Sequence, residues 1–175
     1  MKAKGFFGDF DISKLSMNYQ NTNLNLKGNV KNLHTPEKLF FDAEIFNSTV
    51  VESEIYYLIK GLEIPKYDNL VVTNLNLKYK GEPTKFNAEL NGNVNDGNIY
   101  LKTFLNLQKA RMEYDIDFTS ENIDLFPIFG VTSSINSSGK IKGVGTNPNN
   151  MNANFYANVN SSTFNYISFD SLNLV

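Results

Sequence analysis

The sequence predicts an all-β fold in which antiparallel strands repeat along one elongated, curved sheet, with short helical or loop segments at its corners. Apolar and polar residues alternate through most of the chain, which is the period of a strand with one apolar face. Residues that favour turns separate the alternating segments. The hexapeptide TNLNLK also occurs twice, at Thr22–Lys27 and at Thr73–Lys78, which indicates a repeated structural unit.

Composition limits the classes of function. The chain has 175 residues, a formal net charge of −2 and 19% charged residues. This balance provides no basic surface for a nucleic-acid backbone, so nucleic acid is not an expected partner. The hydrophobic fraction of 41% is too high for a disordered chain. Cysteine is absent, which excludes disulfides and thiolate chemistry.

A hairpin is predicted in the middle of the chain. The segment FNAELNGNV alternates strictly, and NDGN follows it. With Asp96 and Gly97 at its centre, NDGN predicts a two-residue turn of type I′. This turn would place Val94 opposite Ile99 and would bring the apolar residues of both strands to one face.

Further turns extend this hairpin on both sides. A turn within KGEP would place Leu75 opposite Ala88, and a turn within QKAR would pair Leu105 with Tyr114. Residues 70–118 therefore predict a four-strand meander with one apolar and one polar face. Similar hairpins are expected earlier, from LNLKGNV to LFFDAEI, and later, from GKIKGVG to NANFYANV.

Two segments interrupt the alternation, namely SEIYYLIKGLEIP (Ser53–Pro65) and ENIDLFPIFG (Glu121–Gly130). We expect a helical turn or a corner loop in each. Strands and corners together suggest sub-repeats at about 10–65, 66–130 and 131–175. No segment approaches the roughly 20 apolar residues of a membrane helix, and the chain stops within an expected strand. We interpret residues 1–175 as a single all-β segment of a longer protein.

The apolar sides of the predicted strands would form one continuous stripe that could shield lipid acyl chains. A β-groove of this kind needs an unbroken apolar surface and no selective polar pocket. The candidate groove residues are Leu75, Leu77, Phe86, Leu90, Ile99, Leu101, Leu105, Tyr114, Ile116, Phe118, Phe155 and Val159. Periodicity alone favours a closed β-sandwich, which is the alternative fold.

Most of the chain, from about Leu24 onward, resembles a known family. ENIDLFPIFG, followed by SSGKIKGVGTNPNNMNANFYANV, is similar to the AsmA-like superfamily and, within it, to TamB-type proteins. The shared pattern is a short Asp-Leu corner, a strand that ends in glycine, a turn with proline, and alternating strands. The Asn-rich composition is similar to versions from Bacteroidetes-like bacteria.

This resemblance implies a periplasmic lipid-transfer protein of a Gram-negative bacterium, held in the inner membrane by a segment outside this chain. It implies phospholipid as the cargo and an outer-membrane barrel protein of the Omp85 type as a partner. It also implies a role in outer-membrane biogenesis and protein assembly. The alternative function is a structural or adhesive cell-surface repeat that binds protein or glycan.

Catalytic and metal-binding interpretations find little support in the sequence. His34, the single histidine, falls in an expected turn. Asp115 and Asp117 fall on the polar side of an alternating strand, where solvated carboxylates are expected, and Asp124 opens a corner. NGNVNDGNIYLK differs from a calcium loop because Lys102 stands where a bidentate glutamate is required. We therefore expect no enzyme activity, no cofactor and no metal.

Overall fold

The computed structural model describes residues 2–6, 8–58, 69–147 and 149–174. These residues form eleven strands in a single open antiparallel sheet whose strand order follows the chain. The strands are β1 (Lys2–Phe6), β2 (Asp9–Tyr19), β3 (Thr22–Lys31), β4 (Phe40–Val51), β5 (Val71–Glu82), β6 (Lys85–Val94), β7 (Gly97–Asn106), β8 (Glu113–Ile123), β9 (Ser133–Val144), β10 (Asn152–Phe164) and β11 (Ile167–Leu174). The all-β prediction is confirmed.

Two short helices interrupt the meander, and both lie at the same end of the sheet. Helix α1 (Glu52–Leu58) follows β4, and helix α2 (Phe126–Phe129) follows β8. Successive strands are antiparallel, so alternate connections share one end. Both expected corners therefore contain a helical turn, although residues 59–65 of the first corner lie outside the described residues. A 3-10 turn at Pro36–Lys38 joins β3 to β4 at the opposite end.

The described residues form one layer. No second sheet covers the strands, and the apolar side chains at the middle of the sheet are half-buried. Among the described residues, the aliphatic side chains with less than a tenth of their surface exposed are Ile55, Ile123, Pro127 and Ala157. A β-sandwich would bury far more of them. The described residues are therefore not arranged as a closed sandwich.

The register between β6 and β7 differs by two residues from the prediction. Val94 lies opposite Gly97, and Gly92 lies opposite Ile99. The turn uses Asn95 and Asp96, and Asn95 has a positive φ of 49°. Gly97 belongs to β7, where a Cβ atom would come within 2.6 Å of the Asn122 carbonyl oxygen. This glycine permits close approach of β8 and is not required by the turn.

The neighbouring registers agree with the prediction in part. Leu105 lies opposite Tyr114, as predicted. The predicted pairing of Leu75 with Ala88 is wrong, because Tyr79 lies opposite Ala88. The turn falls at residues 83–84, beyond the middle of KGEP. All these differences are even numbers of residues, so each side chain stays on its predicted face.

Bulges supported by side chains interrupt β4 and β10 in the same way. In β4, Asn47 has a φ of 44°, and the fully buried Ser48 hydroxyl accepts a hydrogen bond from the Asn25 backbone N–H at 2.9 Å. In β10, Ser161 has a φ of 43°, and the Ser162 hydroxyl accepts a hydrogen bond from the Asn136 backbone N–H at 2.8 Å. The register of the sheet shifts at both places.

The helical corners also share a set of hydrogen bonds. At the first corner, Glu54 accepts a hydrogen bond from the backbone N–H of the buried Thr22 at 2.8 Å. At the second corner, Asp124 accepts one from the backbone N–H of Ser133 at 2.9 Å. Burial alone would raise the pKa of Glu54, but the hydrogen bonds from Thr22 and Asn21 outweigh burial and lower that pKa below its ordinary value. Both corners thus tie a helix to the first residue of a strand.

Candidate functional site

One side of the sheet, here called the apolar face, carries all the candidate groove residues. Leu75 and Leu77 lie in β5, Phe86 and Leu90 in β6, and the remaining candidates in β7, β8 and β10. Side-chain alternation and the cross-strand pairs place them on one surface. These residues are Leu75, Leu77, Phe86, Leu90, Ile99, Leu101, Leu105, Tyr114, Ile116, Phe118, Phe155 and Val159.

The apolar face is continuous across the strands as well as along them. One row of directly opposed residues runs from β2 to β8 and consists of Leu15, Leu26, Ile45, Leu77, Leu90, Leu101 and Phe118. It continues through Gly139 and Ala157 to Leu174 in β11. Adjacent strands are about 4.8 Å apart, so the row from β2 to β11 is on the order of 40 Å long. No charged residue interrupts this row.

The apolar face is concave over β3, β4 and β5. A concavity of about 400 Å³ is lined by Leu26, Phe41, Ala43, Ile45, Leu77, Tyr79 and Pro83. The ring of Tyr79 stacks on Phe86 with a centroid distance of 4.7 Å, and it meets Phe41 edge-on at 6.2 Å. Burial raises the pKa of Tyr79, whose hydroxyl donates to the Glu82 carbonyl oxygen at 2.8 Å.

Most residues lining this concavity were missed as site residues. Leu26, Phe41 and Ile45 lie in the expected strands LNLKGNV and LFFDAEI, but the candidate stripe began at Leu75. The signal was the sequence similarity between PEKLFFDAEI and PTKFNAEL. Alignment of these two segments would have placed the β4 residues on the same face as Phe86.

Aromatic rings cover two glycines on the apolar face. A Cβ atom at Gly139 would lie 2.7 Å from the Phe118 ring, and one at Gly143 would lie 2.7 Å from the Tyr114 hydroxyl oxygen. Each ring lies opposite its glycine in the β8–β9 register. The glycines let the rings lie flat against the sheet, which keeps the apolar face smooth there.

The opposite side of the sheet, here called the polar face, carries a row of alternating charges. From β3 to β9, directly opposed residues have alternating positive and negative charge. They are Lys27, Glu44, Lys78, Glu89, Lys102, Asp117 and Lys140. Lys27 and Glu44 form an ion pair at 3.0 Å. We call this set the charge ladder.

The expected carboxylates of β8 lie on the polar face, but they are more strongly paired than the sequence suggested. Asp115 forms ion pairs with Lys140 and Lys142, each at 2.9 Å, and Asp117 lies 3.2 Å from Lys140. The hydrogen bonds from Lys140 and then Lys142 lower the pKa of Asp115. The hydrogen bond to Asp115 raises the pKa of Lys140. These residues form an ion-pair cluster, which differs from the solvated carboxylates expected.

The other residues considered as catalytic or metal-binding candidates lie in a turn and at a corner of the sheet. His34 lies exposed in the turn after β3, beside Gly8. Asp124 caps the second corner, where it accepts a hydrogen bond from the backbone N–H of Phe126 at 3.0 Å. Within the described ranges, no group of acidic or histidine side chains is arranged to hold a metal ion. The helices in those ranges are also too short to cross a membrane.

Comparisons of the chain with protein-family models, with curated proteins and with solved structures found no match. Function is therefore inferred from the two faces of the sheet.

Proposed function

We propose that this chain is a segment of a periplasmic lipid-transfer protein that shields phospholipid acyl chains on its apolar face between the inner and outer membranes. The observation that carries the proposal is the continuous apolar face, which has no covering layer among the described residues. Exposed apolar surface on this scale usually marks a site of binding. An extended stripe suits a long, flexible hydrocarbon chain better than a compact ligand.

The energetics favour such a cargo. Burying a methylene group contributes about 0.8 kcal/mol, so a chain of 16 carbons in water costs on the order of 12 kcal/mol. The row of directly opposed residues from Leu15 to Phe118, here called the leucine-rich row, lowers that cost at every strand that the hydrocarbon chain crosses. Because no polar residue interrupts the row, no position along it is a trap or a barrier for the hydrocarbon.

The wider setting is proposed on the resemblance of the corner and hairpin sequences to TamB-type proteins. In that setting the segment belongs to an inner-membrane-anchored protein that works with a barrel protein of the Omp85 type in outer-membrane biogenesis. The repeated hairpins, the two helical corners and the single-layered sheet support this setting.

Site-specific photocrosslinking in cells tests the proposal. A photoreactive residue at Leu101, in the middle of the leucine-rich row, should crosslink to phospholipid, which mass spectrometry of the adduct would identify. The matched control is Asn91, which lies on the neighbouring strand and on the polar face. It should yield no lipid adduct.

The variant Leu101→Glu separates an open face from a buried core. On the open face water can reach the carboxylate, so the variant should keep its melting temperature within a few degrees and lose the lipid adduct from a photoreactive residue at Leu90. In a closed core an unpaired charge would cost several kcal/mol and unfold the domain. Global unfolding together with no lipid adduct at Leu101 in the parent protein would overturn the proposal.

A further inference from the structure

The polar face contains two neighbouring concavities that the proposed lipid path does not use. The first, of about 380 Å³, lies over β5 to β9. The second, of about 410 Å³, lies over β9 and β10. Lys140 lines both of them, so its ion pairs with Asp115 and Asp117 stand between the two depressions.

Each concavity contains an aromatic side chain on a face that consists mostly of polar residues. Phe104 lines the first, between Asn87 and Asp115 in the cross-strand register. Tyr156 lines the second and is 49% exposed. An aromatic residue at such a position gains little from the fold, since no apolar layer packs on it. The two residues are three strands apart, which is about 14 Å.

Polar groups without partners surround the aromatic side chains. Within the part of the chain that the structure describes, the side chains of Asn87, Glu89, Lys102 and Asn154 make no hydrogen bond or ion pair. Glu89 and Lys102 are directly opposed in the register, yet they form no ion pair. Donors and acceptors are thus both available at the rims of the concavities.

The charges of the first concavity nearly cancel, and the two lysines of the second, Lys140 and Lys142, are both paired with Asp115. Lys78, Lys80, Lys102 and Lys140 line the first concavity together with Glu89, Asp115 and Asp117. A site for a phosphate or a polyanion would need an excess of positive charge, and a cation site would need free carboxylates. The surface fits an uncharged ligand that is rich in hydrogen-bonding groups.

We propose that the polar face binds a neutral oligosaccharide, with one sugar ring on Phe104 and another on Tyr156. A pyranose ring has an apolar face of C–H groups that packs on an aromatic ring, and a rim of hydroxyls that both donate and accept hydrogen bonds. The hydroxyls of the sugar on Phe104 form hydrogen bonds with Asn87, Glu89 and Lys102. Those of the sugar on Tyr156 form hydrogen bonds with Asn154. The distance between the aromatic residues requires an oligosaccharide, because one sugar cannot reach both.

Titration calorimetry with two neutral probes, chitotetraose and cellotetraose, tests this site. At least one probe should bind the full chain, and Phe104→Ala or Tyr156→Ala should each weaken binding at least tenfold. The matched control is Tyr100→Ala, because Tyr100 is an exposed aromatic residue on the polar face that lines neither concavity. That variant should bind the probe as the parent protein does.

Amide NMR spectra of the parent protein give a second measurement that needs no variant. Addition of the probe should shift the side-chain amide signals of Asn87 and Asn154 and leave that of Asn25 unchanged. Absence of binding by both probes would overturn the site, and so would equal weakening by Tyr100→Ala and Tyr156→Ala. Lipid crosslinking at Leu101 is measured on the other face, so the two proposals stand or fall separately.

Discussion

At the scale of single residues, small polar side chains determine where the strands bend. Ser48 is fully buried, and its hydroxyl both accepts from the Asn25 backbone N–H and donates to the Phe46 carbonyl oxygen at 3.0 Å. This hydroxyl satisfies backbone groups that the bulge at Asn47 leaves without ladder partners. The bulge therefore depends on one side chain more than on the surrounding packing.

Replacing Ser48 should show how much the bulge depends on its hydroxyl. Ser48→Ala leaves the Asn25 backbone N–H without a partner, and a buried unsatisfied donor costs about 1–3 kcal/mol. The matched control is Ser16→Ala, because the exposed Ser16 hydroxyl donates to the Asn25 side chain at 2.8 Å. Urea denaturation should show a loss for Ser48→Ala and almost none for Ser16→Ala. Equal stability of the two variants would contradict this role.

The sequence could not predict the bulges, because the information lies in pairs of distant residues. Asn-Ser pairs are frequent throughout this chain, and nothing local distinguishes Asn47 from an asparagine in a regular strand. Its conformation is selected by the Asn76 side chain, which accepts a hydrogen bond from the Asn47 backbone N–H at 3.1 Å. That contact exists only once β4 and β5 are paired.

At the scale of elements, the face of each strand was predictable and the register was predictable only in part. Apolar alternation assigns the face, since a shift of one residue would expose the apolar set. A shift of two residues keeps every side chain on its face. Only the turn distinguishes such registers, and the turn after β6 depends on Asn95 rather than on the glycine of NDGN. The role of Gly97 emerges only from its distance to β8.

The glycines of the apolar face should differ in their tolerance of a methyl group. A Cβ atom at Gly139 would lie 2.4 Å from the Tyr156 carbonyl oxygen and 2.7 Å from the Phe118 ring. Gly139→Ala should therefore destabilise the sheet by about 1–3 kcal/mol. At Gly92 the nearest atom would be 3.3 Å away, and Gly92→Ala should be neutral within about 0.5 kcal/mol or slightly stabilising.

Thermal denaturation of both glycine variants would check this difference. If Gly139→Ala were as stable as the parent protein, the Phe118 ring could not be packed against that glycine. A large loss in Gly92→Ala would indicate that Gly92 is needed for a bend in β6. The contact between the Phe118 ring and Gly139 would then not explain the difference in stability between Gly139→Ala and Gly92→Ala.

At the scale of the whole molecule, burial on the apolar face alone does not account for the stability of the sheet. The apolar face is only half-buried by the sheet itself, so its residues contribute less to stability than they would in a closed core. Backbone hydrogen bonds and cross-strand pairs on both faces must supply the rest of the stability. The open arrangement was predicted from the repeat, the corner segments and the family likeness, since periodicity alone favours a sandwich. The charge ladder could be found only after the registers were known.

The last prediction concerns the charge ladder. Lys102→Glu places three acids in a row, because residue 102 is opposed by Glu89 and Asp117. Like charges directly opposite one another destabilise a sheet by about 0.2–1 kcal/mol per pair, so we expect a loss of roughly 1 kcal/mol at low salt. The control Lys38→Glu causes the same change in net charge in an exposed 3-10 turn outside the sheet. Urea denaturation should show that the loss is specific to Lys102→Glu and shrinks in 1 M salt, where screening acts within about 3 Å. A loss of the same size at high salt would mean that the Lys102 side chain contributes by packing and that the alternation of charge is incidental.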